Sequence, residues 1–535
     1  MSLDCNRMIG EVFAEACRNY ADSPAFSCLN HTITYRELDE LSARFAAYLQ
    51  HHTTLKPGDR IAIQLPNVLQ YPVAVFGALR AGLIVVNTNP LYTATELKHQ
   101  LTDSGAKALV VLANVAAHAA DVVGQTDVEH VILTELADLH PPIKRTLINF
   151  VVKHIKKMVP AFSFDTSVRF NQALNSVSAD DWQPVSGTAD DVAVLQYTGG
   201  TTGVAKGAML THRNLVANML QVNLHMSDVF KTNQDLFIAP LPLYHIYAYT
   251  IHCMCALTLG NHSVLIPNPR DIPGFVKALK GVPFTCFVGL NTLFNALVRN
   301  SDFRALDFSK LRCTASGGMA LTHDAAKHWE EVTGVPVSEG YGLTETSPVV
   351  CVNPRYSIKL GTVGLPIPET EVKVIDEDGE TPADGEPGEL CVRGPQVMKG
   401  YWQRPEATAE ILDEDGWLKT GDIATIDAEG YVKIVDRKKD MINVSGFKVF
   451  PNEVEDVLCE HPDILEAAVV GMEDEESGEV VKAFVVVSNT ALTEQDIRTF
   501  ARKSLTGYKV PHSVEFRDEL PKTNVGKVLR RELKE

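Results

Sequence analysis

From residue 60 onward the hydrophobic positions fall into two alternating patterns. Short apolar runs predict buried strands at Arg60 to Leu65, Leu83 to Asn87, Ala108 to Leu112 and Val128 to Thr134. Between them, apolar residues at helical spacing predict helices at Gln70 to Ala81 and Ala94 to Ser104. Residues 9 to 51 read as helices around one extended piece, His31 to Tyr35. A second series follows: a strand at Val192 to Gln196, helical spacing from Leu210 to Leu220, and strands at Leu236 to Ala239, Ser263 to Ile266, Phe284 to Val288 and Leu311 to Ala315. Strand–helix alternation over so long a stretch predicts mostly parallel sheets covered by helices.

The pattern changes twice. From about residue 360, glycines, prolines and acids cluster around short strands (Glu371 to Ile375, Glu389 to Val392), a β-rich subdomain running to 436. After the charged run Asp436 to Asp440 a new unit begins. It has helices at Pro451 to Glu460 and Thr493 to Leu505, and strands at Glu466 to Gly471 and Val480 to Val487. The expected fold class is therefore α/β. A large N-terminal domain, residues 1–436, carries the β-rich subdomain, and a small α+β C-terminal domain spans 437–535.

Composition adds limits. The 535 residues suffice for three or four folding units, and the formal net charge of −18 argues against a nucleic-acid partner. The ten cysteines are scattered; only Cys253 and Cys255 lie close, with no second pair. They read as reduced core residues of a cytoplasmic protein. No apolar run reaches the ~18 residues of a spanning helix, and Ile246 to Gly260 reads as a buried helix. Lys144 to Val159 stands apart, with five cations, no acid, and Leu147, Ile148, Val151, Val152, Ile155 and Val159 at helical spacing. It reads either as a surface helix for an anionic membrane or as a helix packed on its own protein.

Four stretches carry candidate chemistry. In Tyr197 to Gly207 (YTGGTTGVAKG), Gly199, Gly200, Gly203 and the hydroxyls of Thr198, Thr201 and Thr202 suit a phosphate loop, and Lys206 adds charge. The loop fails the Walker pattern, because Ala205 and Gly207 flank the lysine. Glu339 to Glu345 (EGYGLTE) sets a carboxylate beside glycines and a ring, and a carboxylate near a nucleotide is a natural ligand for Mg²⁺. Trp417 to Asp422 (WLKTGD) places an acid in a turn, suited to ribose hydroxyls. Pro521 to Lys527 (PKTNVGK) ends on a lysine after a glycine.

Taken in order, and with PLYH (242–245), GGM (317–319) and DRKKDMINVSGFKVFPNEVE (436–455), these motifs resemble the adenylate-forming superfamily of acyl-CoA synthetases, luciferases and peptide-synthetase adenylation domains. The resemblance runs from Thr34 to Lys527. Within the superfamily, GWLKTGD leading to IVDRKKDMI is similar to the signature of bacterial long-chain fatty-acyl-CoA synthetases.

The resemblance implies ATP and CoA as co-substrates, Mg²⁺ as cofactor and a fatty acid as the third substrate. It implies that the glycine loop holds the β- and γ-phosphates while Thr198 and Glu345 place Mg²⁺. Gly317 and Gly318, with Glu339, Gly340, Tyr341 and Gly342, would bracket the adenine, and Thr344 would also bind the nucleotide. Asp422 would hold the ribose, assisted by Arg437. It puts His245 between acyl carboxylate and CoA, and Tyr249, Val288 and Gly289 along the acyl tunnel. Lys527 is implied as the adenylating lysine and Lys439 as the hinge of a mobile C-terminal domain, with Gly446 and Lys448 on the loop presented to CoA. Three alternatives remain: a ligase that stops at acyl-AMP, a ligase of medium-chain or aryl acids, and a non-catalytic fatty-acid-binding or transport protein. Asp422 runs to Asp436 without the insertion of acyl-AMP ligases, which favours CoA. Peripheral contact with the inner membrane and a homodimer complete the partner expectations.

Overall fold

The structure is a computed structural model and describes residues 3–198, 205–383, 385–474, 477–522 and 528–534. Among these residues four sheets form. In the first, seven strands run in the order Val168–Arg169, His130–Thr134, Ala106–Leu112, Arg60–Gln64, Ile84–Asn87, Val192–Thr198, Lys206–Thr211. All pairs are parallel except the last. Ile84–Asn87 is buried at every position, as a strand covered on both faces must be. The second sheet, of nine strands, centres on the parallel set Cys313–Ser316, Cys286–Gly289, Leu236–Ala239 and His262–Leu265. Helix Gln70–Arg80, buried along its whole length, belongs to the largest core cluster, which takes in side chains from both sheets.

The β-rich subdomain is an antiparallel sheet of four strands, Glu371–Ile375, Gly388–Arg393, Leu418–Ile426 and Val432–Arg437. From Ile442 the chain enters a separate five-stranded sheet with its own core around Val454, Leu458, Val469 and Ile497.

Three elements depart from expectation. Strand Pro24–Cys28 lies where only helices flanking an extended piece were expected; it forms a hairpin with His31–Thr34. Its two turn residues, Leu29 and Asn30, both have positive φ (48° and 58°). Leu-Asn lacks the Asn-Gly or Asp-Gly signature of such turns, so the sequence hid it. Leu210 lies not in a helix but in strand Lys206–Thr211, where buried Ala208 and Leu210 flank half-exposed Met209. The helix begins at His212, with Thr211 as its N-cap. The glycine-rich segment therefore joins two antiparallel strands rather than a strand and a helix. Strand Ser513–Phe516, which adds in parallel to Gly478–Val487, was also unforeseen.

The Ile246 to Gly260 stretch is buried, as expected, with Ile246–Ala248 passing into a π-helical Tyr249–Ala256. Among the described residues no helix is long and apolar enough to cross a membrane. All ten cysteines are free, eight of them buried.

Burial also sets an acid limit. It holds His212, His245 and His262 at about 4 and His252 at about 3, against an ordinary 6.5. An unfolded chain takes up these protons near pH 6.5, so the stability they contribute is full above that pH and is lost as pH falls toward 4. Glu339 opposes them. Burial raises it to about 7, so its contribution is present below the ordinary carboxylate value and fades as pH rises through 7. Burial also lowers His31, His130, His140 and His225 and raises Asp138, Asp436, Glu455 and Asp456. With eight histidines against five carboxyls, the urea midpoint is expected to fall between pH 6.5 and 4. A midpoint level across that window would show that these imidazoles are not held neutral.

Candidate active site

One cleft of about 1580 Å³ lies where the seven- and nine-stranded sheets, the β-rich subdomain and the C-terminal residues meet. Its first wall is the hairpin. Thr198 pairs with Lys206 across it, and Tyr197 with Gly207. The Tyr197 hydroxyl donates to Asp103 Oδ2 at 2.7 Å, fixing the strand end. Lys206 holds its ammonium over the Tyr401 ring, 5.1 Å from the centroid. Gly199, Gly200, Thr201, Thr202 and Gly203 lie outside the described residues, as does Lys527.

The second wall is strand Val337–Gly342 and the turn after it. Gly342 is required there: a Cβ would stand 2.0 Å from the Pro348 carbonyl oxygen. The tight turn this permits carries Thr344 and Glu345. Glu345 Oε1 accepts the Tyr401 hydroxyl at 2.6 Å. Tyr401 thus stands between Lys206 and Glu345, touching both, and no sequence motif marked it. Its backbone segment is zipped to the hairpin, with Met209 N donating to Gly400 O at 2.9 Å and Trp402 N to Gly207 O at 2.8 Å.

The third wall is the β-rich subdomain. Gly421 and Arg437 line the cleft, while Asp422 sits just behind it, 3% exposed. Its Oδ2 accepts the Tyr341 hydroxyl at 2.5 Å, and Arg437 Nε lies 3.3 Å from its Oδ1. Strand pairing sets Asp422 opposite Arg437.

His245 caps the short helix Ile246–Ala248, its Nδ1 accepting from Tyr247 N at 3.3 Å. Burial lowers its pKa to about 4, so at neutral pH it is an uncharged imidazole. Next to it Tyr247 packs on Gly317, where a Cβ would come within 3.1 Å of the ring. Gly317, Gly318 and Gly340 line the cleft beside them.

Several expected residues stand elsewhere. Glu339 points off the cleft, its Oε1 accepting from Leu321 N at 2.9 Å. Its neighbours Ser338 and Gly340 line the cleft, as does Tyr341. Tyr249 is fully buried, and Val288 and Gly289 are core residues; none lines the cleft. The apolar arm is built instead from Val222, Met226, Phe230, Ile251, Val349 and Val352. Val222 extends the face of helix His212–His225, and in the sequence that face cannot be told from ordinary core. Lys439 lines the cleft, whereas Gly446 and Lys448 do not. Gly446 closes a hairpin, and Lys448 pairs with Glu377 of the β-rich subdomain at 2.6 Å. Among the described residues no cluster of three His, Cys, Asp or Glu side chains is placed to hold a metal.

The cleft sets Thr198, Lys206, Glu345 and Arg437 in one space with apolar Val222, Met226 and Phe230, a lining that suits a charged ligand together with an apolar one. The model of the AMP-binding enzyme family matches residues 13–402, that of the AMP-binding enzyme C-terminal domain matches residues 453–527, and the chain belongs to this family. It is 54% identical to a long-chain-fatty-acid–CoA ligase of Escherichia coli O157:H7, over 98% of this chain and 94% of that one. A ligase of the same name from Haemophilus influenzae is 50% identical, with the same two coverages. ATP-bound MatB from Rhodopseudomonas palustris superposes with a TM-score of 0.80 at 28% identity, over 98% of each chain. The α/β architecture is that of the adenylate-forming enzymes, as the motifs implied.

Proposed function

We propose that the chain is a long-chain-fatty-acid–CoA ligase. A fatty acid and ATP give acyl-AMP and pyrophosphate; acyl-AMP and CoA then give acyl-CoA and AMP. The observation that carries this reading is the single cleft in which Lys206, Glu345 and Arg437 share a space with the apolar arm of Val222, Met226 and Phe230.

In the first step a carboxylate attacks the α-phosphate, so two anions must approach. Lys206 and Lys527 are proposed to neutralise that charge as it develops. Asp422 takes the ribose hydroxyls, steadied by Arg437. His245, being uncharged, offers a hydrogen bond beside the acyl carbonyl without binding the free acid as a salt. Residues from 437 onward form the mobile unit, turning at Lys439.

Thr198 and Glu345 fit Mg²⁺. Tyr401 takes one Glu345 oxygen, and among the described residues no hydrogen bond reaches the other. Among the described residues the Thr198 hydroxyl makes one long contact, 3.5 Å to Lys206 O. One carboxylate and one hydroxyl, completed by water and phosphate, suit an ion that seldom takes an all-protein cage. Bound there with ATP, Mg²⁺ neutralises phosphate oxygens.

The reading includes a cytoplasmic enzyme in peripheral contact with a membrane, where its water-insoluble substrate resides. The test is ATP–pyrophosphate exchange with palmitate, with and without CoA. Palmitate-dependent exchange plus palmitoyl-CoA formation is expected. Exchange without thioester identifies an adenylate-only ligase, and no exchange with any acid identifies a binding protein.

A further inference from the structure

The segment after Pro141 is an amphipathic helix turned outward. Helix Pro142–Phe150 continues as a π-helical turn, Val151–Ile155. Polar groups attach it to the body. Asn149 accepts from Ala137 N at 2.9 Å and donates to Asp138 Oδ1 at 3.2 Å, and Lys144 Nζ donates to Asn30 O at 2.8 Å. Of its apolar side chains only Val152 is buried. Ile143 is 87% exposed, Leu147 61%, Phe150 54%, Ile155 65% and Met158 51%.

Ile143, Leu147 and Phe150 follow at i, i+4 and i+7, so they form one continuous ridge, with a shallow apolar groove along it. Leaving such side chains in water forgoes the gain that normally places them inside. A monomer that had merely to pack this helix would turn the ridge inward. Something covers it, and its neighbours say what. Lys144, Arg145, Lys153, Lys156 and Lys157 surround the ridge with no acid among them, in a chain whose formal net charge is −18. A second copy seated across a two-fold axis would bring these five cations against the same five. An anionic lipid surface answers both features: the ridge enters the boundary between headgroups and acyl chains, and the cations meet the headgroups.

We infer that residues 142–158 are the element by which this protein lies on an anionic lipid bilayer. The placement rests on exposure and charge and holds whichever acid the cleft activates. The net charge of −18 works against attachment of the chain as a whole, so the attachment depends on this local cluster of cations.

The test uses the full chain and sedimentation with vesicles of phosphatidylcholine alone or in equal parts with phosphatidylglycerol. Binding is expected only to the anionic vesicles and is reversed by salt. Replacing Lys153, Lys156 and Lys157 together with Gln should weaken it on the order of 100-fold. Replacing Ile143, Leu147 and Phe150 with Ser should weaken it with the charges intact. As a second readout, the indole emission of a Leu147→Trp variant should shift to the blue on anionic vesicles. Binding that neither triple variant alters, or an indole emission that vesicles leave unshifted, overturns the assignment. So does an apolar triple variant that turns a dimer into a monomer while vesicle binding persists, since the ridge would then belong to a second copy.

Discussion

Replacing Lys527 with alanine should slow acyl-adenylate formation by about 10²–10³-fold, the usual cost of one transition-state donor, and should spare thioester formation from supplied acyl-AMP. The expectation rests on the charge that two approaching anions need neutralised, toward which the cleft also holds Lys206, Lys419, Lys439 and Arg531. Lys206 stands over the Tyr401 ring beside Glu345, on the hairpin side. Lys522 is held by Glu466 at 2.5 Å, Lys438 by Glu389 at 2.8 Å, and Arg437 faces Asp422. Lys522, Val528, Leu529 and Arg531 line the cleft. Single-turnover pyrophosphate release measures the first step; mixing acyl-AMP with CoA measures the second. Equal loss in both would dismiss a lysine that serves only one of them.

Arg530→Gln should destabilise the C-terminal unit by about 3–5 kcal/mol, as removal of one partner from a buried ion cluster does. Arg530 meets Glu455 at 2.8 Å, Asp440 at 3.2 Å, Asp436 at 3.6 Å and the Asn452 side chain at 2.7 Å. Burial alone would lower its pKa, but Glu455 and Asp436 outweigh it and hold the guanidinium charged. Burial raises Asp436 and Glu455 in turn, and the arginine is what offsets it. Gln keeps a donor and loses the charge, leaving carboxylates uncompensated. Hydrogen exchange over residues 442–487 reads the opening free energy directly; protection equal to wild type would show that the cluster contributes nothing. Arg530 also grips Asp436 and Asp440, on both sides of Lys439. A unit turning at that lysine must release the Asp436 contact, so the variant is further expected to alter the ratio of the two half-reaction rates.

The buried parallel strands were legible because burial on both faces leaves continuous apolar runs, as in Ile84–Asn87. The family was legible because its motifs, YTGGTTGVAKG, EGYGLTE and WLKTGD among them, stand in order along the chain. What escaped were facts of direction and depth. Glu339 belongs to a motif yet points off the cleft, and Tyr249 is fully buried and does not line it. Tyr401 and the Val222–Met226 arm carry no local signature; they enter the site through pairing with distant segments. Leu29-Asn30 turned a chain reversal without the usual glycine, and Leu210 was assigned to a helix that starts two residues later.

The cysteines have a consequence for an enzyme whose second substrate is a thiol. None lines the cleft, and burial pushes Cys28 up to about 12, Cys391 to about 11 and Cys459 to about 12. Thiolates, not thiols, exchange with disulfides or capture activated acyl groups. The cleft therefore offers CoA no partner for a mixed disulfide and the acyl-adenylate no competing sulfur. The only sulfur nucleophile that reaches the activated carbon is the one that diffuses in, and the product leaves as a free thioester rather than a tethered one.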